Sequence, residues 1–393
     1  MRLPSTLRFT APSPRAPAPV CSGDAALRHI YAVSDLHAEY DENTDWCAQL
    51  SDSRYRSDVL IVAGDVAERL DLFEATMARL VRKFGLVFYV PGNHELWLRR
   101  DGSEGSTSLE KLERLEQVCA RLGVVTSPQR VQLRSGTIRV CPLLSMHHQS
   151  FDTEPGIDLL RLPGVSRAMA DYRAMRFPTP LSLGSEALAE HFDRLNDAAA
   201  ERSDEQSAMH AALSPWSPAS EAAAGPSASA STSGSAEPLL SFSHFLPRIE
   251  LCPEKRFLVY PDLMKAVGSR PLGRRVATLQ PHMHCFGHSH FGWDLDVEGT
   301  RYVQAALATP GERRRRMPSL AIGDIEREPL QLYDGEEGEW CAPHSAAWSD
   351  HYRQHARSPD DVKPAPWVLA YYRARAPQRV RMARSSEERK PNP

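Results

Sequence analysis

Three short apolar runs, at residues 30–33, 59–63 and 86–90, are unbroken by charge and rich in Val, Ile and aromatic residues. Each leads directly into side chains that ligate metals or carry protons. Runs of this length and make-up read as strands buried on both faces, the pattern of a parallel sheet covered by helices. Between the second and third, Leu72, Phe73, Met77, Leu80, Val81 and Phe84 recur at helical spacing, and Gly85 follows as a stop. A β-α-β unit with a parallel pair is therefore predicted. Thr107 and Glu110 then form a capping box for a helix that turns Leu109, Leu112, Leu115, Cys119 and Leu122 inward and closes at Gly123. A fourth strand is expected over 137–144.

Farther along, the pattern loosens. Residues 151–196, punctuated by Pro155, Pro163, Pro178 and Pro180, read as loop and short helix crossing the surface. The stretch 203–238 is dominated by Ala, Ser and Pro and has almost nothing to bury, so it reads as a disordered insertion inside one domain. Strand-like runs return at 239–245 and 283–286, followed by an antiparallel pair, 293–297 and 301–306, joined at Glu298-Gly299. The expected organisation is a leader over 1–28, one domain over 29–330, an extension over 331–375 packing on that domain, and a mobile basic tail over 376–393.

The chemistry sits at the strand ends. Asp35-Leu36-His37 follows the first run, Gly64-Asp65-Val66-Ala67-Glu68 the second and Gly92-Asn93-His94-Glu95 the third. Ser243-His244 and Gly287-His288-Ser289-His290 close two later runs. The carboxyl ends of strands in an open parallel sheet are where sites are built, so five strand ends are expected to meet on one rim. Anionic oxygen with neutral imidazole and amide suits hard divalent or trivalent cations. In an extended segment His288 and His290 would lie on one side, roughly 7 Å apart, which suits two neighbouring ions, and Asp35 and His37 likewise. Gly64, Gly92 and Gly287 each precede a ligand-type residue, where a missing Cβ lets the backbone come close.

Read in order, the blocks are D-x-H, G-D-x-x-E, G-N-H-E, a lone His and G-H-x-H, and in this the chain resembles the calcineurin-like metallophosphoesterases. The resemblance covers about residues 29–310 outside the insertion. It implies an α/β fold, a two-sheet β-sandwich flanked by helices in four α/β/β/α layers. It also implies two divalent or mixed-valence metal ions, with manganese, iron and zinc left open. Asp35, His37, Asp65 and His290 would hold one ion and Asp65, Asn93, His244 and His288 the other, with Asp65 bridging. The implied chemistry is hydrolysis of a phosphate ester by a metal-bridging hydroxide, the ions being about 3.5 to 4 Å apart. Asn93 would offset charge on the phosphoryl oxygens, and His94 would face the substrate and protonate the leaving alkoxide or orient the phosphate.

Other residues are read beside that site. Glu68 and Glu95 are expected to fix ligand histidines, or else to hold a neighbouring loop. His147 and His148 form either a wall of the substrate pocket or an ordinary loop pair. His282 and His284 match no block and read as strand residues or outer support. The arginines at 313–316 either meet a phosphate or form a solvated face. A narrower likeness, in 35–43, 90–97, 243–253 and 301–316, is to a calcineurin-like group of plants, algae and some bacteria. The protein serine/threonine phosphatases are a poor match, because Ala38 and Ser289 stand where that branch has glycine.

Composition narrows the partners. A formal net charge of -3 over 393 residues gives no overall pull toward nucleic acid or membrane. The expected substrate is a phosphorylated small molecule, a phosphomonoester or diester. A nuclease or nucleotide pyrophosphatase would share the metal site, but the basic patch with interleaved aromatics that would mark it is absent from the five blocks. A metal-free interaction scaffold would show eroded ligands, whereas every ligand position here is filled. Seven scattered cysteines without a C-x-x-C pair argue for reduced thiols and against a thiolate metal site. No apolar run approaches the roughly 20 residues of a membrane span. The expectation is a soluble intracellular protein, cytoplasmic by default, whose Arg-, Ser- and Pro-containing leader suits an organelle transit peptide or a plain disordered segment.

Overall fold

The computed structural model describes residues 26–99, 106–157, 162–213 and 237–374. β1 (His29–Val33), β2 (Val59–Ala63) and β3 (Leu86–Val90) are parallel neighbours, with Ile30 beside Val59 and Val59 beside Leu86. The two connections are helices Asp41–Gln49 and Leu70–Lys83, the second burying Phe73, Met77 and Leu80 as its spacing predicted. The capping box of helix Ser108–Leu122 forms in full. The Thr107 hydroxyl accepts from the Glu110 amide at 3.2 Å, and the Glu110 carboxylate accepts from the Thr107 amide at 2.8 Å.

A second sheet takes β4 (Gln129–Leu133), β5 (Gly136–Pro142), β6 (Leu239–Phe242), β7 (Met283–Phe286), β8 (Trp293–Val297) and β9 (Thr300–Gln304), in the order β4-β5-β6-β7-β9-β8. β5, β6, β7 and β9 run parallel, and antiparallel strands close both edges. β4 was not expected, although Val131 and Leu133 alternate inward before a turn at Arg134 and Ser135. The first sheet is completed from beyond position 330, by β10 (Leu330–Asp334) antiparallel to β1 and β11 (Glu339–Trp340) antiparallel to β10. The segment expected as an extension thus supplies two strands of the first sheet.

Two cores fill the layers. One lies between the sheets and under the helices of the first, joining Ile30, Val59, Phe73, Met77, Leu115, Ile138, Phe242, Met283, Cys285 and Val303. The other covers the far face of the second sheet, with Phe192, Phe245, Leu272, Phe286, Trp293 and Tyr302. Tyr302 and Val303 fall in different cores, as the two-residue period of a strand requires. At the carboxyl end of β1 the sheets are joined directly: the Ser34 amide donates to the Ala305 carbonyl at 2.9 Å, and the Leu307 amide donates to the Ser34 carbonyl at 2.9 Å. Among the described residues no helix is long and apolar enough to cross a membrane.

The irregular stretch expected over 151–196 contains short helices, Val165–Ala168 and Asp171–Ala174, and the start of a longer one, Glu186–Leu213. That helix overlaps the first part of the expected insertion, whose remainder at 214–236 lies outside the described residues, as do residues 1–25 of the leader and the tail from 375 onward.

His284 is wholly buried on β7, between the Ser241 hydroxyl at 2.8 Å and the Ser243 hydroxyl at 3.0 Å. Burial alone pushes its pKa down from 6.5 to about 3. In the unfolded chain the ring takes a proton below 6.5, whereas in the fold it stays neutral, so stability is full above that pH and falls as pH drops toward 3. One such group contributes a slope of roughly 1.4 kcal/mol per pH unit. His284→Gln, which keeps a donor and an acceptor, should remove about one proton's worth of that slope. Urea midpoints from pH 7 to 5 measure it, and equal slopes for both proteins would refute the assignment.

Candidate metal centre

All five strand ends meet. Asp35 and His37 follow β1, Asp65 follows β2, Asn93 and His94 follow β3, His244 follows β6, and His288 and His290 follow β7. The backbone there is not extended, so the alternation expected for His288 and His290, and for Asp35 and His37, does not apply. All four residues, with Asp65, have left-handed φ values of 43° to 73°. Non-glycine residues avoid that region, at a cost of roughly 1–2 kcal/mol each, and five together mark a site that the surrounding structure forces into shape. The glycines allow it. A Cβ on Gly92 would lie 2.1 Å from Asp65 Oδ1, and one on Gly64 would lie 2.5 Å from His244 Nδ1.

The donor atoms form two groups, Asp35, His37, Asp65 and His290, and Asp65, His244 and His288, each within 4.8 Å. Hydrogen bonds on the far sides of the rings decide which nitrogens are free. His244 Nδ1 lies 2.9 Å from the Ala63 carbonyl, His288 Nε2 lies 2.9 Å from the Ala266 carbonyl, and His290 Nδ1 lies 2.8 Å from Glu312 Oε2. Each of those nitrogens must donate, which leaves His244 Nε2 and His288 Nδ1 as lone pairs and turns His290 Nε2 toward Asp35 and His37. His244 Nε2 and His288 Nδ1 stand 3.2 Å apart, at 3.0 and 2.9 Å from Asn93 Oδ1. His290 Nε2 stands 3.1 Å from His37 Nε2 and 3.3 Å from Asp35 Oδ1. In the His244 and His288 group lone pairs converge without a proton between them and repel, and in the other group the Asp35 and Asp65 carboxylates face two imidazoles, so the donor set fits a cation in each group.

Charge agrees. Burial, with the neighbouring imidazoles, pushes His37 and His288 down to about 3, and burial lowers His244 as well, so these rings stay neutral, the form of imidazole that metals take. Burial and the charges of Glu95 and Asp35 raise Asp65 well above the usual carboxylate range. Burial opposes a charge on His290, but Asp35 and Glu312 outweigh it and carry its pKa up to about 10. That point draws positive charge.

A family profile described as calcineurin-like phosphoesterase matches residues 28–223. This chain belongs to the calcineurin-like phosphoesterase family. The match takes in the first three blocks, and the fold brings His244, His288 and His290 to the same rim. The chain is 34% identical over 128 residues to "[Acyl-carrier-protein] phosphodiesterase PptH" of Mycobacterium tuberculosis (strain ATCC 25618 / H37Rv), a match spanning 31% of this chain and 38% of that relative. The crystal structure of Phosphopantetheinyl Hydrolase (PptH) from Mycobacterium tuberculosis superposes with a TM-score of 0.54 at 23% identity, covering 79% of this chain and 97% of that one. That likeness speaks for the fold, two mixed sheets flanked by helices.

Of the two readings of Glu68 and Glu95 in this calcineurin-like phosphoesterase, the contacts of Glu95 match the holding of a neighbouring loop. Glu95 fixes no histidine. Its carboxylate accepts from the amides of Asp65 at 3.0 Å, Val66 at 2.5 Å, Ala67 at 3.0 Å and Gly92 at 2.7 Å, and so grips two loops at once. Glu68 pairs with Arg99 at 3.2 Å rather than with a ligand ring. The carboxylate that orients a ligand histidine is Glu312, hidden in the sequence among the arginines of 313–316. Of those, Arg313 donates to the Leu307 and Ala308 carbonyls at 2.9 and 2.8 Å and Arg316 pairs with Glu312, both bracing the scaffold, whereas Arg314, paired with Glu42, and Arg315 are exposed, as a solvated face would be.

His147 and His148 are both buried. The His147 side chain is fully buried against Asp171 at 3.2 Å, and His148 caps the short helix Gln149–Phe151, its Nδ1 accepting from the Ser150 amide at 3.2 Å. His284 lies on β7, and His282 stands just before that strand, its Nδ1 accepting from the Leu239 amide at 3.1 Å. His94 remains at the opening, its side chain 25% exposed, Nε2 3.9 Å from Asp65 Oδ2 and the ring 3.7 Å from Trp97.

Since a Cβ at position 92 would strike Asp65 Oδ1, Gly92→Ala should drive that carboxylate off the shared position and weaken metal binding at least about tenfold, the scale of a disturbed ligand support. Elemental analysis and calorimetric titration check it, and wild-type affinity in the variant would show that the loop simply shifts.

Proposed function

We propose that this chain hydrolyses a phosphate ester with two divalent cations, one held by Asp35, His37, Asp65 and His290 and the other by Asp65, Asn93, His244 and His288. The observation that carries the reading is the convergence of His244 Nε2, His288 Nδ1 and Asn93 Oδ1 within 3.2 Å of one another with no proton among them. When bound, such ions supply a water of lowered pKa and positive charge opposite the phosphoryl oxygens. The remaining work falls to the chain. Asp65, almost fully buried, keeps its carboxylate between the two groups, and the His94 amide holds Asp65 Oδ1 at 2.9 Å. His94, His288 and His290 are the partly open members, so substrate approaches from their side. His94 stands on the Trp97 ring, where it delivers a proton to the leaving oxygen once the phosphate's charge has drawn that proton onto it.

The named activity of the mycobacterial relative makes a phosphodiester the first ester to test, including one that joins a phosphopantetheine arm to a carrier protein. Apo protein reloaded with manganese, iron or zinc should turn over bis-p-nitrophenyl phosphate or such a carrier, and a chelator should abolish the reaction. Turnover that survives complete removal of metal would sink the proposal.

His94→Asn should keep its metal but lose about 10² to 10⁴ in turnover on alkyl esters, the usual worth of a positioned acid. The loss should shrink on aryl esters, whose leaving groups need little protonation. An equal loss on both would make His94 a phosphate-orienting group instead. Asp65→Asn should lose metal and activity together.

A further inference from the structure

Asp171 lies on the short helix Asp171–Ala174 in the stretch expected to be mostly loop, yet it is 1% exposed. Its Oδ1 accepts from Asn93 Nδ2 at 3.0 Å and from Trp97 Nε1 at 2.7 Å, and its Oδ2 lies 3.2 Å from His147 Nε2. An ionised carboxylate can only accept, so it dictates which end of the Asn93 amide faces it. The NH2 must turn toward Asp171, and Oδ1 must turn toward His244 Nε2 and His288 Nδ1. Released from that constraint, the amide could rotate by half a turn. Its NH2 would then donate to the two imidazole lone pairs, satisfy them internally and close that group to a cation. The same oxygen holds the Trp97 indole, on whose face the His94 ring rests at 3.7 Å.

We propose that Asp171 is a positioning residue: it keeps the Asn93 oxygen on the metal side of the His244 and His288 group and, through Trp97, sets the platform under His94. This rests on the two-cation reading above. The pressure toward the flipped amide comes from the site itself, since two bare imidazole lone pairs on that side would accept from its NH2. A fixed acceptor behind the amide is the simplest opposing device.

The test is metal titration of the apo protein with Zn²⁺ or Mn²⁺ for wild type, Asp171→Leu and Asp171→Asn. His288→Ala and His290→Ala identify which binding step belongs to which group. Leucine fills the space without an acceptor. It should weaken the His244 and His288 step by about 10- to 100-fold, the cost of losing a group that orients a ligand, and leave the Asp35 and His290 step unchanged. Asparagine keeps an acceptor oxygen and should stay within about threefold of wild type on that scale. A merely structural carboxylate would instead lower both steps together, or neither, along with thermal stability. Selective loss in Asp171→Leu with rescue in Asp171→Asn supports the proposal. Wild-type binding by Asp171→Leu overturns it, as does a folded Asp171→Asn that has lost the same step, and this second arm decides the matter if the leucine variant does not fold. Wild type that takes up no ion overturns the reading of the site itself, a different outcome.

Discussion

The geometry of the site hangs on one buried carboxylate. Glu95 is fully buried and receives four backbone amides, three from the loop after β2 and one from the loop after β3. Burial pushes its pKa up to about 7, with those four donors pulling the other way. Any one of them left unpaired in the interior would cost about 1–3 kcal/mol, so the loops hold the carboxylate as firmly as it holds them. Asp65 takes its left-handed turn inside this grip, and Gly92 approaches it so closely that no side chain fits between. The carboxylate shared by the two donor groups is therefore placed by backbone hydrogen bonds before any ligand arrives.

The same logic joins the two sheets. β1 belongs to one and β9 to the other, but beyond their ends the backbones of Ser34 and Ala306 pair in parallel, and the Ala308 amide donates to the Asp35 carbonyl at 3.0 Å. The Asn43 side chain adds a second tie, donating to the Leu36 carbonyl at 2.7 Å and the Ala308 carbonyl at 2.9 Å. Five ligand-type residues in left-handed backbone represent strain on the order of 5–10 kcal/mol in sum, which only a surrounding core can hold in place. The apolar layer between the sheets supplies that core. It is continuous from Ile30 and Val59 on one sheet to Phe242 and Met283 on the other.

What could be read from the chain beforehand follows from how local each signal is. The three parallel strands, the Leu70–Lys83 helix and the Thr107 cap are written in neighbouring residues, and they stand where their spacing put them. The ligand-type blocks were legible because each is a short motif at a strand end. Their backbone was not, since left-handed turns at Asp35, His37, His288 and His290 leave no mark in residue type except Gly287 beside His288. Supporting residues were least visible. Asp171 acts on Asn93 from 78 positions away, and Glu312 was masked by the arginines beside it. β10 reads L-Q-L-Y-D, a two-residue alternation present in the sequence, but its partner β1 lies near the other end of the chain, and nothing local indicates that pairing.

The supports found only in the structure share one property, which is that each satisfies the far side of a ligand with an acceptor the protein already owns. The Ala63 carbonyl does this for His244, the Ala266 carbonyl for His288, Glu312 for His290 and Asp171 for Asn93. His244, His288 and Asn93 are thereby held with a lone pair inward and His290 with Nε2 toward Asp35, an arrangement that favours a cation. Small domains that are unfolded until metal arrives take their order from the ion. The cores and the Glu95 grip supply the order instead. What an ion meets is a set of donors already aimed at one another, so little of its binding free energy is consumed in arranging them. Most of it is left to relieve the repulsion between them and to polarise whatever else approaches the open side at His94.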